Sequence, residues 1–554
     1  MSVDERSFLS HAKVISLLTL VSRIFGQLRE TILAMFLGTG TAATAFRAAF
    51  AVPNMFRKLF GEGALSAAFI PLYSKSLKEN TPEEARAFAA ASVNLLTLIL
   101  IAITLLGEAV LVGLIRYADP NRLSFVLMLK LSAIMLPYVV LICLTAFLSG
   151  ILQVHRHFAL PAAAPVLLNI IHILVTGFGG LILGITATAD PDAKLARQTT
   201  LAHWLAIMVL VAGLAQIALL TPALRKVGFR FSIRDAIWTP RVKQMLILSI
   251  PVAMAAGVLQ ISVLMDKGIS MILAQDPDLK KQLITHFNFF GTQVPFPMQL
   301  GALPRLDMAQ MLYQFPLGIF AIALATAIFP GLSANALEHD RSRFNQTLKT
   351  GIEATLFEGI AASVGLIIVR YQAIRLLLKY GSMTEHDVEL IARSLMIYAS
   401  GIWAYSMQQI INRAYYALHD TRTPFILSLV NIGLNLVVEI PLLWTPLGES
   451  AMAAGTVVSF AVQAVVMLWM LKGRIGDFGL RDIVIMAGKM LIAAGLMLAA
   501  CLALEQLPCF ASKGRIASLM QLLLLITVGA GVYLGTCRAL GIHTLEMLMP
   551  RRQT

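Results

Sequence analysis

The chain has 554 residues, of which 58% are hydrophobic and 13% are charged. A soluble domain carries about 25% charged residues, so this composition excludes an ordinary soluble globular protein. The formal net charge is +14, but the lysines and arginines are dispersed among apolar segments. A basic balance of this kind is typical of contact with anionic lipid headgroups, and it does not indicate nucleic-acid binding.

Apolar segments of membrane-spanning length recur along the whole chain. A transmembrane helix needs about 20 apolar residues, whereas the strands of an outer-membrane barrel alternate over about 10 residues, and these segments do not alternate. We therefore predict an all-α polytopic membrane protein with fourteen transmembrane helices. The predicted spans are 13–37, 45–73, 88–115, 124–152, 160–186, 201–222, 243–274, 308–335, 347–371, 388–417, 424–445, 450–472, 483–504 and 516–537.

The charges of the loops orient these spans. With the N-terminus in the cytoplasm, the inner loops include the basic segments 225–243, 339–344 and 472–482, and the C-terminal tail MPRRQT is also inside. Cytoplasmic loops of membrane proteins are enriched in Lys and Arg, so the pattern predicts that both ends are cytoplasmic. The longest outer loop, 275–306, contains prolines and aromatic residues, and we expect an ordered but irregular segment there.

Two stretches of the chain resemble each other. FLSGILQVHRHFALPAAAPVLLNI (147–170) has the layout of IINRAYYALHDTRTPFILSLVNI (410–432): a span ends, a short basic loop follows, and the next span begins near a proline. Six predicted spans separate the two stretches, and an even number of spans indicates that the repeats are parallel. We therefore predict an N-terminal lobe over 1–222, a C-terminal lobe over 223–472 and two additional helices over 473–554. Transporters built from repeats hold their substrate between them, so we expect two six-helix lobes around a central cavity.

Charged side chains interrupt the first predicted span. Arg23, Gln27 and Glu30 fall on one helical face, and Arg29 lies next to that face. Each charge costs about 2.5–3.5 kcal/mol at the centre of a membrane helix unless it is paired or solvated. One interpretation is an Arg–Glu pair that only joins helices. The other interpretation, which we favour, is the polar wall of a water-filled cavity.

The second predicted span adds further cations. Arg47, Asn54 and Arg57 recur at nearly helical spacing, and Lys58 and Glu62 follow. Arginine forks match phosphate geometry bidentately, so two consecutive cationic spans predict a binding site for a phosphate-like or carboxylate anion. The second half of the chain supplies fewer groups, and its secondary candidates are Asp266, Lys267, Gln310 and Gln314.

The sequence contains none of the common catalytic or nucleotide-binding motifs. GxxxxGKS/T, HExxH and GxSxG are absent, and the four cysteines are scattered without a CxxC pair. We therefore predict a transporter and not an enzyme, with no catalytic residues, no metal site and no cofactor. Transport would then be driven by the membrane potential or by an ion gradient.

Five segments together resemble the MurJ (MviN) family of lipid II flippases, within the MATE-like exporter superfamily. They are SRIFGQLRETILAMFLGTG, AFRAAFAVPNMFRKLFGEGALSAAFIPLY, FALPAAAPVLLNI, LYQFPLGIFAIALATAIFPGLS and RAYYALHDTRTPF. The resemblance implies fourteen helices in two lobes in the bacterial cytoplasmic (inner) membrane. It also implies alternating access that moves the undecaprenyl-pyrophosphate-linked peptidoglycan precursor, lipid II, from the inner to the outer leaflet. The last two helices would form a groove for the lipid tail.

The resemblance further implies roles for individual residues. Arg23, Arg29 and Arg57 match the essential cavity arginines of the family, and Glu30 and Glu62 match its acidic residues. The implied ligands are lipid II and membrane lipids. The sequence does not decide whether cell-wall synthesis proteins are also partners. The alternative that the sequence leaves is a related exporter of another polyprenyl-linked oligosaccharide or of drugs, although an exporter of cationic drugs requires an acidic cavity.

Two positions depart from the family pattern. Thr44 stands where the family usually has an Asp in the second span, and Met311 stands where it usually has an Arg in the eighth. The missing arginine normally faces the first span across the cavity. Arg47, Arg305 and Lys267 are the candidates to compensate for it.

Overall fold

The computed structural model describes residues 3–59, 65–231, 237–278, 280, 282–338, 340–510, 512 and 514–542. Within these ranges the chain is almost entirely helical. Besides α-helix and the connecting turns and loops, the described residues contain π-helical segments at 57–59 and Leu317–Ala321, a short 3-10 turn at Pro508–Phe510 and four short strands. This architecture is the one expected for a chain whose backbone hydrogen bonds must be satisfied inside a membrane.

The helices follow one another with short connections. Those before the long loop at 275–306 are α1 (Val3–Leu37), α2 (Thr41–Phe56), α3 (Leu65–Glu79), α4 (Pro82–Tyr117), α5 (Leu123–Met135), α6 (Tyr138–Val154), α7 (Ala159–Ile182), α8 (Pro191–Lys226) and α9 (Pro240–Ile272). The loop holds strands β1 (Asp276–Pro277), β2 (Leu283–Ile284), β3 (His286–Phe289) and β4 (Thr292–Pro295). The helices after it are α10 (Ala302–Pro316), α11 (Ile322–Leu337), α12 (Arg341–Leu377), α13 (Glu385–Ser400), α14 (Ile402–Ala417), α15 (Arg422–Leu443), α16 (Ser450–Ile475), α17 (Leu480–Glu505) and α18 (Arg515–Ala539).

The helices agree with the predicted spans. Every predicted span overlaps one helix or two consecutive helices, which confirms the helical polytopic fold class. Among the described residues, nine helices are long and apolar enough to cross a membrane, and ten if α5 and α6 form one bent span. The count of fourteen transmembrane helices therefore stays a prediction.

Two of the predicted spans are broken, and a specific residue accounts for each break. α5 and α6 are bent by 46° relative to each other, and Pro137 lies between them. Proline has no backbone N–H to donate and its ring clashes with the preceding turn. α13 and α14 meet at Gly401, where an added Cβ would lie 2.8 Å from a methyl carbon of Val457. Only a residue without a side chain fits at that junction.

The long loop between α9 and α10 is more regular than the sequence indicated. β1 pairs with β2 and β3 pairs with β4, both antiparallel, with Phe287 opposite Val294. The second hairpin turns at Gly291, which has φ +87° and donates its N–H to Asn288 Oδ1 at 2.8 Å. The expectation of an irregular segment is thus wrong for these residues, because the strands are too short to show a clear alternation in sequence.

Asp276 and Arg122 attach this loop to two helix ends. The carboxylate of Asp276 accepts the backbone N–H groups of Ser124 at 2.8 Å and Phe125 at 3.3 Å, in the first turn of α5. Arg122 donates to the carbonyl oxygen of Met271 at 2.8 Å, in the last turn of α9. An anion at a helix N-terminus and a cation at a helix C-terminus are both favourable, so the start of the loop is held from two sides.

Contacts divide the chain into two compact units. The first comprises Met1–Pro304 with Tyr380–Met383, and the second comprises Arg305–Lys379 with Thr384–Thr554. In the first unit α1 packs on α7, and α2 packs on α5 and α8. In the second unit α12 contacts α13, α14, α17 and α18. These contacts do not test the repeat symmetry, so the predicted lobe boundaries stay a prediction.

Arg305 is the centre of a buried ion cluster in the second unit. Its Nη2 lies 2.6 Å from Glu449 Oε2 and its Nη1 lies 3.5 Å from Asp387 Oδ1, and its side chain is 3% exposed. Asp387 also closes a capping box with Thr384 at the start of α13. The cluster joins α10 to the first turns of α13 and α16. Arg305 is therefore engaged in internal packing, which leaves Arg47 and Lys267 as the candidates to compensate for Met311.

Replacement of Arg305 by alanine should destabilise the protein strongly, because Glu449 and Asp387 would stay buried without their arginine. Removal of one partner from a buried pair costs about 3–5 kcal/mol. The matched control is Lys349→Ala, which breaks the more exposed 2.6 Å pair with Asp482 and should cost at most about 1 kcal/mol. Thermal unfolding in detergent measures both variants, and equal shifts of the midpoint would contradict the role given to the cluster.

Candidate functional site

Two charged residues of α1 face the helix that packs on it. Arg29 donates from Nη2 to Glu30 Oε1 at 2.7 Å and from Nη1 to Asn169 Oδ1 at 3.1 Å. Asn169 lies on α7, the main neighbour of α1 in the first unit. The polar residues of α1 are thus held against a specific partner, and the neutral amide of Asn169 leaves the charge of Arg29 intact.

Arg47 of α2 completes an ion network with these residues. Its Nη2 lies 2.7 Å from Glu30 Oε2, while Arg29 uses the other carboxylate oxygen. The side chains of Arg29, Glu30 and Arg47 are 22%, 13% and 12% exposed. We call these three residues the cationic cluster. Two guanidinium groups share one carboxylate, so the cluster carries a net positive charge in a place that is largely shielded from solvent.

Asn54 and Arg57 form a second polar pair near the end of α2. The Nε of Arg57 donates to Asn54 Oδ1 at 3.1 Å, and both side chains are half-buried. Three residues separate them, which is the spacing that brings side chains together on a helix. Because Asn54 is a neutral acceptor, this bond fixes the Nε of the guanidinium without adding a negative charge to the pair.

The structure adds two residues of α7 that the sequence reasoning did not assign to the site. Asn169 also donates to the carbonyl oxygen of Ser22 at 3.3 Å, so it is fixed between α1 and Arg29. His172, one helical turn further along, is 1% exposed, and its ring lies edge-on to Phe46 and Phe50 at 6.0 Å and 5.9 Å. Neither of its ring nitrogens has a hydrogen-bond partner in the part of the chain that the structure describes. The available signal was two polar residues one turn apart in an otherwise apolar span.

The remaining predicted residues of the first two spans are less closely tied to the cluster. Arg23 lies on an exposed part of α1, whereas Gln27 is half-buried. The Nε2 of Gln27 has no hydrogen-bond partner among the described residues. Glu62 lies outside the described residues. The structure therefore gives defined neighbours to Glu30 but not the complete polar face that the helical spacing predicted.

The secondary candidates lie on other helices. Asp266 and Lys267 are half-buried on α9 in the first unit. In the second unit, Gln310 donates to the hydroxyl of Tyr398 at 3.0 Å, which joins α10 to α13, and Gln314 is exposed. Both residues of this hydrogen bond belong to the second unit. The bond therefore explains the polar side chain of Gln310 by a contact that joins two helices.

The chemistry of the cationic cluster suits an anion with several oxygens. Guanidinium groups donate through a rigid planar fork, and forks match phosphate bidentately. Glu30 occupies one face of each arginine, and the Nε of Arg29 has no hydrogen-bond partner among the described residues. A shared carboxylate therefore positions two cations, and the Nε of Arg29 stays available to a ligand.

Comparison with known proteins assigns a family. The family model described as lipid II flippase MurJ matches residues 33–522. The probable lipid II flippase MurJ of Rhizobium tropici is 32% identical over 453 residues, which cover 81% of this chain and 78% of that relative. The probable lipid II flippase MurJ of Rhizobium meliloti is 30% identical over 542 residues, which cover 96% of this chain and 93% of that relative.

Solved structures show the same relationship. A lipid II flippase MurJ in an inward closed conformation is 25% identical and matches with a TM-score of 0.69 over 95% of this chain and 99% of that one. A multidrug resistance MATE family transporter matches with a TM-score of 0.63 over 84% of this chain and 98% of that one. Its 14% identity shows a shared fold alone. The chain therefore belongs to the lipid II flippase MurJ family.

Proposed function

We propose that this chain is a lipid II flippase of the bacterial inner membrane. It moves the undecaprenyl-pyrophosphate-linked peptidoglycan precursor from the inner to the outer leaflet, as the names of its relatives indicate. The observation that carries the proposal is the cationic cluster, in which Glu30 holds Arg29 and Arg47 at 2.7 Å on its two oxygens. A diphosphate is the part of the substrate that this arrangement recognises.

The proposed binding step follows from charge and geometry. Arg29 and Arg47 supply a net positive charge from α1 and α2, and Arg57 lies further along α2. Cations near membrane depth are costly unless an anion or water compensates them. The negative charge of a bound diphosphate would compensate the two arginines. Binding of the headgroup would therefore lower the free-energy cost of holding these cations at membrane depth. The arginines bind and orient the substrate, and no bond in it is broken.

The energy for transport needs no cofactor in this proposal. Moving an anionic charge outward across an inside-negative membrane is favoured by roughly 2.3 kcal/mol per charge for each 100 mV. The membrane potential or an ion gradient is therefore sufficient to bias alternating access toward the outer leaflet. The proposed topology, with both ends in the cytoplasm, rests on the Lys and Arg content of the loops.

The C-terminal helices offer a surface for the lipid tail. α17 and α18 pack on each other and on α12, and they expose a large set of apolar side chains. On α17 that set includes Leu491, Ile492, Leu496 and Leu502. Apolar side chains on a membrane helix are compatible with acyl and prenyl chains, so we assign the tail groove to this region.

Complementation of a strain depleted of its own flippase tests the proposed function directly. The parent chain should restore growth and the appearance of lipid II in the outer leaflet. Arg29→Ala and Arg57→Ala should abolish both, while lysine at either position should restore them in part, because lysine keeps the charge but not the fork. Arg116→Ala, at an exposed position near the end of α4, is the control. Failure of the well-expressed parent chain would instead favour an exporter of another polyprenyl-linked oligosaccharide.

Asn169 should also contribute to transport, through its hydrogen bond with Arg29. Asn169→Leu removes the acceptor and should lower the rate of flipping about ten-fold, since a hydrogen bond to a charged group contributes about 1.5–3 kcal/mol. Asn169→Gln keeps a neutral acceptor and should retain more activity. The exposed loop variant Asn121→Leu serves as the control. Equal rates for the leucine and glutamine variants of Asn169 would show that its acceptor does not position Arg29.

A further inference from the structure

A cavity of about 600 Å³ opens in the second unit, away in sequence from the cationic cluster. It lies where α12 and α17 end and where α13 and α18 begin. α12, α17 and α18 are each long and apolar enough to cross a membrane, so their ends lie near the membrane–water boundary. We call this cavity the helix-end pocket. Its position makes it accessible to lipid headgroups.

One wall of the pocket is a polar stripe along the start of α13. His386, Glu389 and Arg393 recur every three or four residues, so they share one helical face, and all three are exposed and line the pocket. Tyr371 and Arg375 line the opposite wall, one turn apart near the end of α12. The pocket is therefore walled by residues of both charges on rigid helices.

Glu389, Glu505 and Arg393 of the pocket can form further ionic contacts with a ligand. In the described part of the chain, no ion pair joins Glu389 or Glu505 to a cation. Glu505 accepts a long hydrogen bond of 3.4 Å from Gln372 Nε2. Arg393 donates from Nη2 to the carbonyl oxygen of Pro446 at 2.6 Å, which leaves its charge uncompensated by that contact. An incoming ligand with one anionic and one cationic group would complement both.

Arg375 adds a second positive centre. It donates to Glu385 Oε1 at 2.5 Å, and Lys379 pairs with the other oxygen of the same carboxylate. Burial works against the charge of Glu385, but the hydrogen bonds and charges of Lys379 and Arg375 outweigh it and hold the pKa of Glu385 below its ordinary value. The carboxylate stays ionised, and the three groups together keep a net positive charge beside the pocket.

Gln372 gives an independent indication of a ligand. It lines the pocket and is 5% exposed, and its Oε1 has no hydrogen-bond partner in the described part of the chain. A buried amide oxygen without a partner is unfavourable. A donor brought by a ligand would satisfy this oxygen, and an ammonium group carries such donors.

We propose that the helix-end pocket binds the phosphoethanolamine headgroup of a zwitterionic bilayer phospholipid. Arg393, together with the positive group around Arg375, binds the phosphate. Glu389 and Glu505 bind the ammonium, and Gln372 Oε1 accepts one of its protons. This site is distinct from the proposed diphosphate site, and it does not depend on the identity of the transported substrate.

The surface next to the pocket favours a lipid over a soluble phosphoethanolamine. α18 contributes Gln521 to the pocket, and on neighbouring positions it exposes Ile516, Met520 and Leu523. These three residues recur at helical spacing and form an apolar stripe. Acyl chains of a lipid whose headgroup fills the pocket would lie along that stripe, whereas a soluble headgroup would gain nothing from it.

Lipid-dependent thermal stability of the purified full-length protein tests this proposal. Delipidated protein in a nonionic detergent is titrated with phosphatidylethanolamine, with phosphatidylglycerol and with soluble glycerophosphoethanolamine. Phosphatidylethanolamine should raise the unfolding midpoint at the lowest concentration, and phosphatidylglycerol, which has no ammonium, should need about ten times more. Equal action of the two lipids would overturn the assignment of the ammonium. Equal action of the lipid and the soluble headgroup would overturn the assignment to a lipid.

Paired substitutions tie the effect to the pocket. Glu389→Gln and Arg393→Gln should each raise the concentration of phosphatidylethanolamine that gives half of the stabilisation by about ten-fold, since each removes a charged partner. Glu338→Gln and Arg341→Gln, at exposed positions at the end of α11 and the start of α12, are the matched controls. Each shift is measured from the lipid-free midpoint of the same variant, so a change in basal stability does not obscure it. Unchanged half-points for both pocket variants would overturn the proposal.

Discussion

The site depends on one carboxylate that holds two guanidinium groups. Glu30 places its two oxygens at 2.7 Å from Arg29 and Arg47, so α1 and α2 are joined by charge where the surrounding side chains are mostly apolar. Without the carboxylate, the two arginines would repel each other at a distance where solvent screens them weakly. With it, they stay close together and keep one net positive charge. The proposed binding of a diphosphate requires this combination of proximity and residual charge.

The second unit also contains a cluster of arginine and carboxylate side chains, but its net charge has the opposite sign. Arg305 lies between Glu449 and Asp387, so two carboxylates surround one guanidinium and the cluster is negative overall. Arg305 is almost completely buried, and its donors point into the protein. Such a cluster fixes the ends of helices and has little capacity for a ligand. The ratio of carboxylates to guanidinium groups thus separates the ion network that we propose as an anion site from one that joins helix ends.

Much of the architecture could be predicted from the sequence, because hydrophobicity over about 20 residues is a strong signal. The predicted spans coincide with helices, and Arg29, Glu30 and Arg47 were assigned to the site before their contacts were known. The break between α13 and α14 was missed, because the close approach at Gly401 involves Val457, which is remote in sequence. The bend between α5 and α6 was also missed, although its cause, Pro137, is local. The hairpins of the loop between α9 and α10 were missed because their strands have only two to four residues.

The partners of the charged residues were the part that the sequence could not supply. Helical spacing placed Arg23 and Glu30 on one face, yet the structure exposes Arg23 and shields Glu30. The hydrogen bond between Arg29 and Asn169 spans 140 residues of sequence, so neither segment alone predicts it. Arg305 was a candidate for the site, but two carboxylates distant in sequence bind it instead. A pattern in one segment gives no information about which side chain of a distant segment meets it.

The affinity of the purified protein for lipid II, compared between the parent chain and Glu30→Gln, tests the central claim most directly. The substitution removes a negative charge, so simple attraction between charges predicts tighter binding of an anion. The account given above predicts the reverse, because Arg29 and Arg47 lose the group that holds them together and separate. Weaker binding by Glu30→Gln, with Arg116→Gln unchanged, is the predicted result. Binding that is tighter or equal would contradict the view that Glu30 organises the site.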